Sequence, residues 1–171
     1  MRRLGLVWTL WSALVVAAAA QQGIDFSGRW VLVSSAVADA NAAQSLIVRQ
    51  PVTRTNNLGA PMPPAFMQLI IEREYADRVT TETHQIGIRG GIVGGIAGGG
   101  TSYQSSFSVR WDGPRLIIER SSNPSTARDA GPSWEHTEEW ELNSAGTLVI
   151  SVTDQASDSA PKSNTFTYRR N

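Results

Sequence analysis

Two strands and a turn can be read from WEHTEEWEL (residues 134–142), NSAG (143–146) and TLVISVTD (147–154). One set of alternate positions in the first segment mixes apolar and ionisable side chains: Trp134, His136, Glu138, Trp140 and Leu142. A period of two is typical of a β-strand whose faces meet different surroundings. Asn and Gly between two such segments are typical turn residues. The stretch therefore predicts an antiparallel hairpin.

A second hairpin of the same kind lies upstream. The segment 102–112 alternates and places Tyr103, Phe107 and Trp111 on one parity. An Asp-Gly-Pro turn then leads into an aliphatic strand at 115–121. Each hairpin thus has a tryptophan before its turn and an aliphatic strand after it.

The rest of the chain after residue 20 reads mainly as short strands separated by turns. Further strand patterns lie at 25–33, 44–55, 65–75, 78–85 and 165–170. Turn signals recur about every 8–12 residues, the spacing of an all-β barrel or sandwich. We predict an all-β fold over residues 21–171, a single antiparallel barrel of about eight strands. Closing the sheet would remove edges that invite aggregation.

A glycine-rich run interrupts this pattern. Eight of the fourteen residues at 87–100 are glycine, and such a run has high backbone entropy and few side chains to pack. We therefore predict a flexible loop at 87–100. The run lacks the Lys-Ser/Thr pair of a phosphate-binding loop, which argues against nucleotide binding.

The first twenty residues have the three-part pattern of a secretory signal peptide. Arg2 and Arg3 precede an apolar run, and small residues end it at an Ala18-x-Ala20 cleavage site. The run is shorter than a membrane anchor needs. We expect export to the periplasm or the extracellular medium, with no stable membrane span after cleavage. Fourteen of the fifteen basic residues are arginine, a composition typical of a GC-rich bacterial genome.

Charge and composition restrict the partners of the exported chain. Removing residues 1–20 lowers the basic residues from 15 to 13 against 15 acidic ones, a net charge near −2. Without a basic surplus, nucleic acid is not an expected partner. The chain has no cysteine, which rules out disulfides, thiol catalysis and thiolate zinc sites. No cofactor is predicted.

Near the start of the exported chain, Gly28-x-Trp30 in the sequence DFSGRW resembles the motif that opens lipocalins and related calycin barrels. In that family the tryptophan closes one end of the barrel, and a basic residue near the last strand packs across its indole. The resemblance implies that Arg170, or failing it Arg169, lies over Trp30. Together with the Trp-Asp-Gly hairpin, the motif also resembles small exported lipocalin-like proteins of bacteria.

The mixed parity of 134–142 points to a partly wet interior. We expect aromatic and other large side chains to line or fill it, namely Trp111, Trp134, Trp140, Phe107, Tyr103 and Met67. His136, Glu138 and Arg73 are the polar candidates for orienting a ligand. The predicted function is the non-catalytic binding of a small, largely apolar molecule inside the barrel.

The same residues also suggest other functions. His136 and Glu138 with His84 suggest a metal, but no third ligand has a recognisable spacing, so no metal site is predicted. No Gly-x-Ser-x-Gly elbow is present and no catalytic residue is assigned. One alternative is a structural or interaction module with a solid barrel and contacts through loops such as 87–100. Another is a small hydrolase or isomerase using His136 and Glu138.

Overall fold

The computed structural model describes residues 23–39, 42–56, 58–95, 102–124 and 132–171. The predicted signal peptide, the residues 96–100 of the glycine-rich run and the side chain of Tyr103 lie outside this description. No helix that could span a membrane occurs in the part of the chain that is described.

The described residues form twelve β-strands and no helix, which confirms the all-β prediction. The strands are β1 (Gly28–Ser35), β2 (Ser45–Arg49), β3 (Val52–Thr55), β4 (Pro61–Phe66), β5 (Gln68–Glu74), β6 (Val79–Gln85), β7 (Arg89–Gly95), β8 (Ser102–Asp112), β9 (Arg115–Pro124), β10 (Trp134–Leu142), β11 (Leu148–Ala156) and β12 (Lys162–Arg170). Both late hairpins are present, as β8–β9 and β10–β11.

Ten strands of the described chain form one antiparallel sheet in the order β6-β5-β2-β1-β12-β11-β10-β9-β8-β7. β3 and β4 form a separate hairpin between β2 and β5. Each strand of this curled sheet lies beside the next of its strands along the chain, except at β6 and β7, and β12 pairs with β1. Its two ends, β6 and β7, share no ladder among the described residues. The sheet therefore has ten strands instead of about eight, and it is barrel-like with one open seam.

Part of the glycine-rich run forms strand β7, at one end of the sheet. The flexible loop predicted at 87–100 is wrong for its first half, because β7 pairs with β8 from Arg89↔Ser108 to Gly95↔Ser102. Glycine is needed where β7 passes over an aromatic ring, since a Cβ at Gly90 would lie 2.4 Å from Phe107 Cζ. The glycines thus permit a close approach of the backbone.

Trp30 lies near the start of β1 and belongs to the hydrophobic core. Its side chain is fully buried, and its Nε1 donates to the Phe26 carbonyl oxygen at 2.8 Å. The Arg170 guanidinium lies 4.7 Å from the Trp30 ring centroid, the contact expected from the sequence. Gly28 has φ = 140° and faces the Arg170 side chain, a backbone conformation that favours glycine.

The interior changes character along each strand. Near Trp30 it is apolar: Leu69 and Ile71 of β5 are buried, as are Leu116 and Ile118 of β9. Continuing away from Trp30 on the same parity, β5 reaches Arg73 and β9 reaches Arg120. On β10 the same change runs from Trp140 to Glu138 and His136. The hydrophobic core therefore occupies the Trp30 end, and charged residues face inward at the other end.

Candidate binding site

Glu138 on β10 is the centre of a charged cluster. It is 3% exposed. Arg73 on β5 donates from Nη2 to both of its carboxylate oxygens, at 2.7 and 2.8 Å. β5 and β10 are far apart in the sheet order, so this ion pair crosses the interior and joins two walls of the barrel.

Neighbouring strands complete the surroundings of Glu138. Arg120 on β9 donates from Nη1 at 3.0 Å, and Trp140 donates from Nε1 at 2.8 Å. His136 Nε2 lies 3.1 Å from Glu138 Oε1, and its Nδ1 lies 2.7 Å from Asp154 Oδ1. The register explains this placement, because His136 pairs with Arg120 on one side and with Asp154 on the other.

The cluster also spans the seam. Arg120 donates from Nη2 to Glu82 Oε2 on β6, and His84 Nε2 lies 3.2 Å from the same oxygen. β6 and β9 belong to different ends of the open sheet. Side-chain contacts therefore join the strands on either side of the seam, where the described backbone has no ladder.

Burial and ion pairing act in opposite directions on these groups. Burial by itself would raise the pKa of Glu138, but the charges of Arg73 and Arg120 and the bond from His136 hold that pKa well below its usual range. Burial would lower the pKa of His136, yet its bonds to Glu138 and Asp154 raise it above its usual value. Glu138 is thus a stable carboxylate with little capacity to accept a proton as a general base.

The charges in the cluster balance. Arg73 and Arg120 face Glu138 and Glu82, and His136, when protonated, faces Asp154. Buried ion pairs add little to the free energy of folding, because the cost of desolvating the charges offsets their attraction. Removing one partner is nevertheless costly, because it leaves the other charge buried and unpaired. The cluster therefore fixes the arrangement of the walls more than it adds to the total stability.

Beside the cluster lies a cavity of about 450 Å³, called here the central cavity. Its apolar lining includes Ala42, Ala43, Ile150, Val152 and Phe166. Its charged lining includes Asp39, Arg73, Glu82, Arg120, His136, Glu138, Asp154 and Lys162. The lining comes from the start of β12 and the segment after β1, whereas Trp30 and Arg170 lie at the opposite ends of those strands. The central cavity is therefore at the end of the sheet remote from Trp30.

The structure brings together some of the predicted site residues and separates others. Arg73, His136 and Glu138 line the central cavity. Trp140 is buried beneath it and holds Glu138. Trp111 stacks on Phe26 at the Trp30 end, with ring centroids 6.0 Å apart, and it does not line the central cavity; its place in a ligand site stays a prediction.

The remaining predicted lining residues lie outside the central cavity. Trp134 is 40% exposed and stacks on His136 with ring centroids 5.6 Å apart. Phe107 lies at the seam, 5.9 Å from the His84 ring. Met67 is 37% exposed and does not line the central cavity.

Sequence reasoning missed Arg120, Glu82 and Asp154. Arg120 had a readable signal, because it continues the parity of Leu116 and Ile118, where a charge interrupts an aliphatic face. Glu82 likewise shares a parity with His84 in β6. Asp154 had no such signal apart from its register with His136, which depends on the length of the turn between β10 and β11.

In the part of the chain that the structure describes, no group of three or more His, Asp or Glu side chains is arranged to hold a metal ion. Comparisons with known proteins assign no relationship: the sequence matches no protein family, and no curated protein is significantly similar to it. The function must therefore be argued from the site itself.

Proposed function

We propose that this protein is an exported, lipocalin-like carrier that binds one small amphipathic molecule in the central cavity without transforming it. The observation that carries the proposal is the central cavity of about 450 Å³, remote from Trp30, where apolar and charged residues line the space side by side. Ligand sites of small molecules are commonly of this size, with a few polar groups that fix orientation.

The lining suggests the shape of the ligand. Ala42, Ala43 and Val152 offer short apolar side chains that leave room for a hydrocarbon or ring body. The charged cluster lies directly beside them, because Val152 pairs with Glu138 in the sheet, and it presents a polar surface in which the charges are already balanced. A neutral or zwitterionic head group suits this surface, because it adds no net charge to a buried, paired set. The ligand we propose is thus less uniformly apolar than the sequence alone suggested.

The ten-stranded sheet supports a binder over a solid interaction module. A barrel of about eight strands is just wide enough for side chains to fill, and two further strands widen the interior. The apolar core fills the end near Trp30, where Leu69 and Leu116 are fully buried, while space remains at the other end. A hydrolase or isomerase using Glu138 gains no support, because that carboxylate is occupied by its partners.

The test uses a matched pair of variants on β11. Val152→Trp places a large side chain inside the central cavity, whereas Ser151→Trp adds the same side chain on the exposed outer face. Nile red, a neutral amphipathic dye, serves as the fluorescent probe. Native mass spectrometry of protein purified without denaturation looks for a bound compound.

The proposal expects Nile red to bind the wild type and Ser151→Trp equally, and Val152→Trp at least about tenfold more weakly. A co-purifying small molecule should be present in the first two proteins and absent from the third. Thermal unfolding checks that each variant is folded. Absence of dye binding and of any bound compound in the wild type would refute the proposal, as would equal dye binding by Val152→Trp.

A further inference from the structure

A second cavity opens at the seam and is distinct from the central cavity. It has a volume of about 440 Å³ and lies between β6 on one side and β8, β9 and the start of β10 on the other. We call it the seam cavity. It is lined by His84, Phe107, Trp134, Ser105 and Ser122, and it meets the central cavity at Glu82 and Arg120, which line both.

The seam cavity exists because the sheet is not closed at this point. β6 and β7 share no described ladder, and Gly87 N donates to the Val109 carbonyl oxygen at 2.6 Å where the chain turns between them. That bond is made by the turn after β6. Along β6 itself no described ladder joins it to β8, and side chains fill the space between these two strands. Glycines follow along β7, and Gly90 already lies against the Phe107 ring.

Three aromatic rings line the seam cavity. His84 and Phe107 face one another across the seam at 5.9 Å. Trp134 is 40% exposed, although it lies on the inward parity of β10, and it is supported from below by His136. Exposed aromatic surface on an inward parity is the kind of surface on which a planar ring stacks.

Most hydroxyls near the seam cavity are already paired with each other. Ser106 and Ser121 are bonded at 2.8 Å, and Ser105 Oγ lies 3.5 Å from Ser122 Oγ. A saccharide, which needs many hydrogen-bond partners, finds few here. Glu82 is the charged acceptor that lines this cavity. Its described partners, Arg120 and His84, both bond to Oε2, so no described residue bonds to Oε1.

We infer that the seam cavity binds a neutral aromatic molecule carrying a hydroxyl group, with the ring against Phe107 and Trp134 and the hydroxyl donating to Glu82 Oε1. Neutrality follows from the pairing of Glu82 with Arg120, since an added charge would be left without a partner. The inference does not require an occupant of the central cavity, although Glu82 and Arg120 line both cavities.

The test compares two ligands that differ by one methyl group, which replaces the hydroxyl proton and so removes the hydrogen-bond donor. 2-Naphthol has the ring and the hydroxyl, whereas 2-methoxynaphthalene keeps the ring and cannot donate. Dissociation constants are measured by isothermal titration calorimetry. A hydrogen bond to a charged acceptor predicts that 2-naphthol binds about tenfold more tightly. Glu82→Gln should weaken 2-naphthol several-fold and leave 2-methoxynaphthalene unchanged.

A filling variant locates the binding. Ser105 is exposed and lines the seam cavity, so Ser105→Trp should weaken 2-naphthol at least about tenfold, while Ser151→Trp should bind it like the wild type. Circular dichroism confirms folding, and Ser122→Phe replaces Ser105→Trp if that variant does not fold.

Three results would overturn the inference. The first is no binding of 2-naphthol to the wild type, and the second is binding that survives filling of the seam cavity. The third is tighter binding of methyl β-D-glucopyranoside than of 2-naphthol, which would place a saccharide there instead. None of these outcomes depends on Nile red or on Val152→Trp, so this inference and the proposed function fail separately.

Discussion

Replacing Glu138 by glutamine is the most informative perturbation of the charged cluster. The change keeps the shape of the side chain but removes its charge, which leaves Arg73 and Arg120 without their shared counter-ion. The side chains of Arg73 and Glu138 are 11% and 4% exposed, so water cannot replace the lost charge. We expect Glu138→Gln to reduce the free energy of unfolding by about 3–5 kcal/mol, the cost of removing one partner of a buried ion pair.

A control on the same strand shows what burial contributes. Glu139 faces outward, is 43% exposed at its side chain, and accepts from Arg115 at 2.8 Å. Glu139→Gln should cost less than about 1 kcal/mol, because exposed ion pairs contribute little. The two substitutions are chemically identical and adjacent in sequence.

Urea unfolding at pH 7, followed by tryptophan fluorescence, measures both free energies. For a domain of this size, the loss expected for Glu138→Gln corresponds to a fall in melting temperature of about 10 °C. Double replacement by Arg73→Met and Glu138→Leu should restore part of the loss, because the more buried arginine is removed together with its partner and Arg120 keeps its bond to Glu82. Equal, small losses for Glu138→Gln and Glu139→Gln would refute the reasoning that Glu138 is the buried centre of the cluster.

Three further predictions concern the fold and the titration of the cluster. Gly90→Ala should destabilise the protein by about 1–3 kcal/mol in urea unfolding, because its Cβ would meet Phe107; no loss would mean that β7 does not pass over this ring. Arg170→Gln should cost about 0.5–2 kcal/mol through loss of the Trp30 contact, whereas Arg169→Gln at an exposed position should be near neutral in the same assay. His136 has a raised pKa when folded, so its contribution is complete below its unfolded pKa of about 6.5 and is lost as pH rises through the higher folded value. Unfolding free energies measured from pH 5 to 9 should therefore decline over that window in the wild type and less in His136→Gln, and identical profiles would contradict the assignment.

Period-two alternation was enough to predict the two late hairpins and the inward face of β10. The reason is physical, since successive side chains of a strand point to opposite faces whatever the tertiary context. The same rule allowed Arg170 to be assigned to the Trp30 indole, because the resemblance supplied the pairing of the first and last strands. The local pattern and the resemblance to calycin barrels together thus predicted the contact of Arg170 with Trp30.

The charged cluster at the end remote from Trp30 could not be predicted in the same way. Arg73 and Glu138 lie far apart in sequence and meet only because their strands face each other across the interior. Nothing local to either residue specifies that distance. β7 was missed because its glycines have low strand propensity, and their role becomes visible only beside the Phe107 ring, which belongs to another strand.

The most direct test of the central claim is a crystal structure of the protein purified from its host without denaturation. The account predicts a bound small molecule in the space between Val152 and Arg73, with Glu138 still held by Arg73 and Arg120. An interior filled by the protein's own side chains at that position, with Glu138 separated from both arginines, would contradict it.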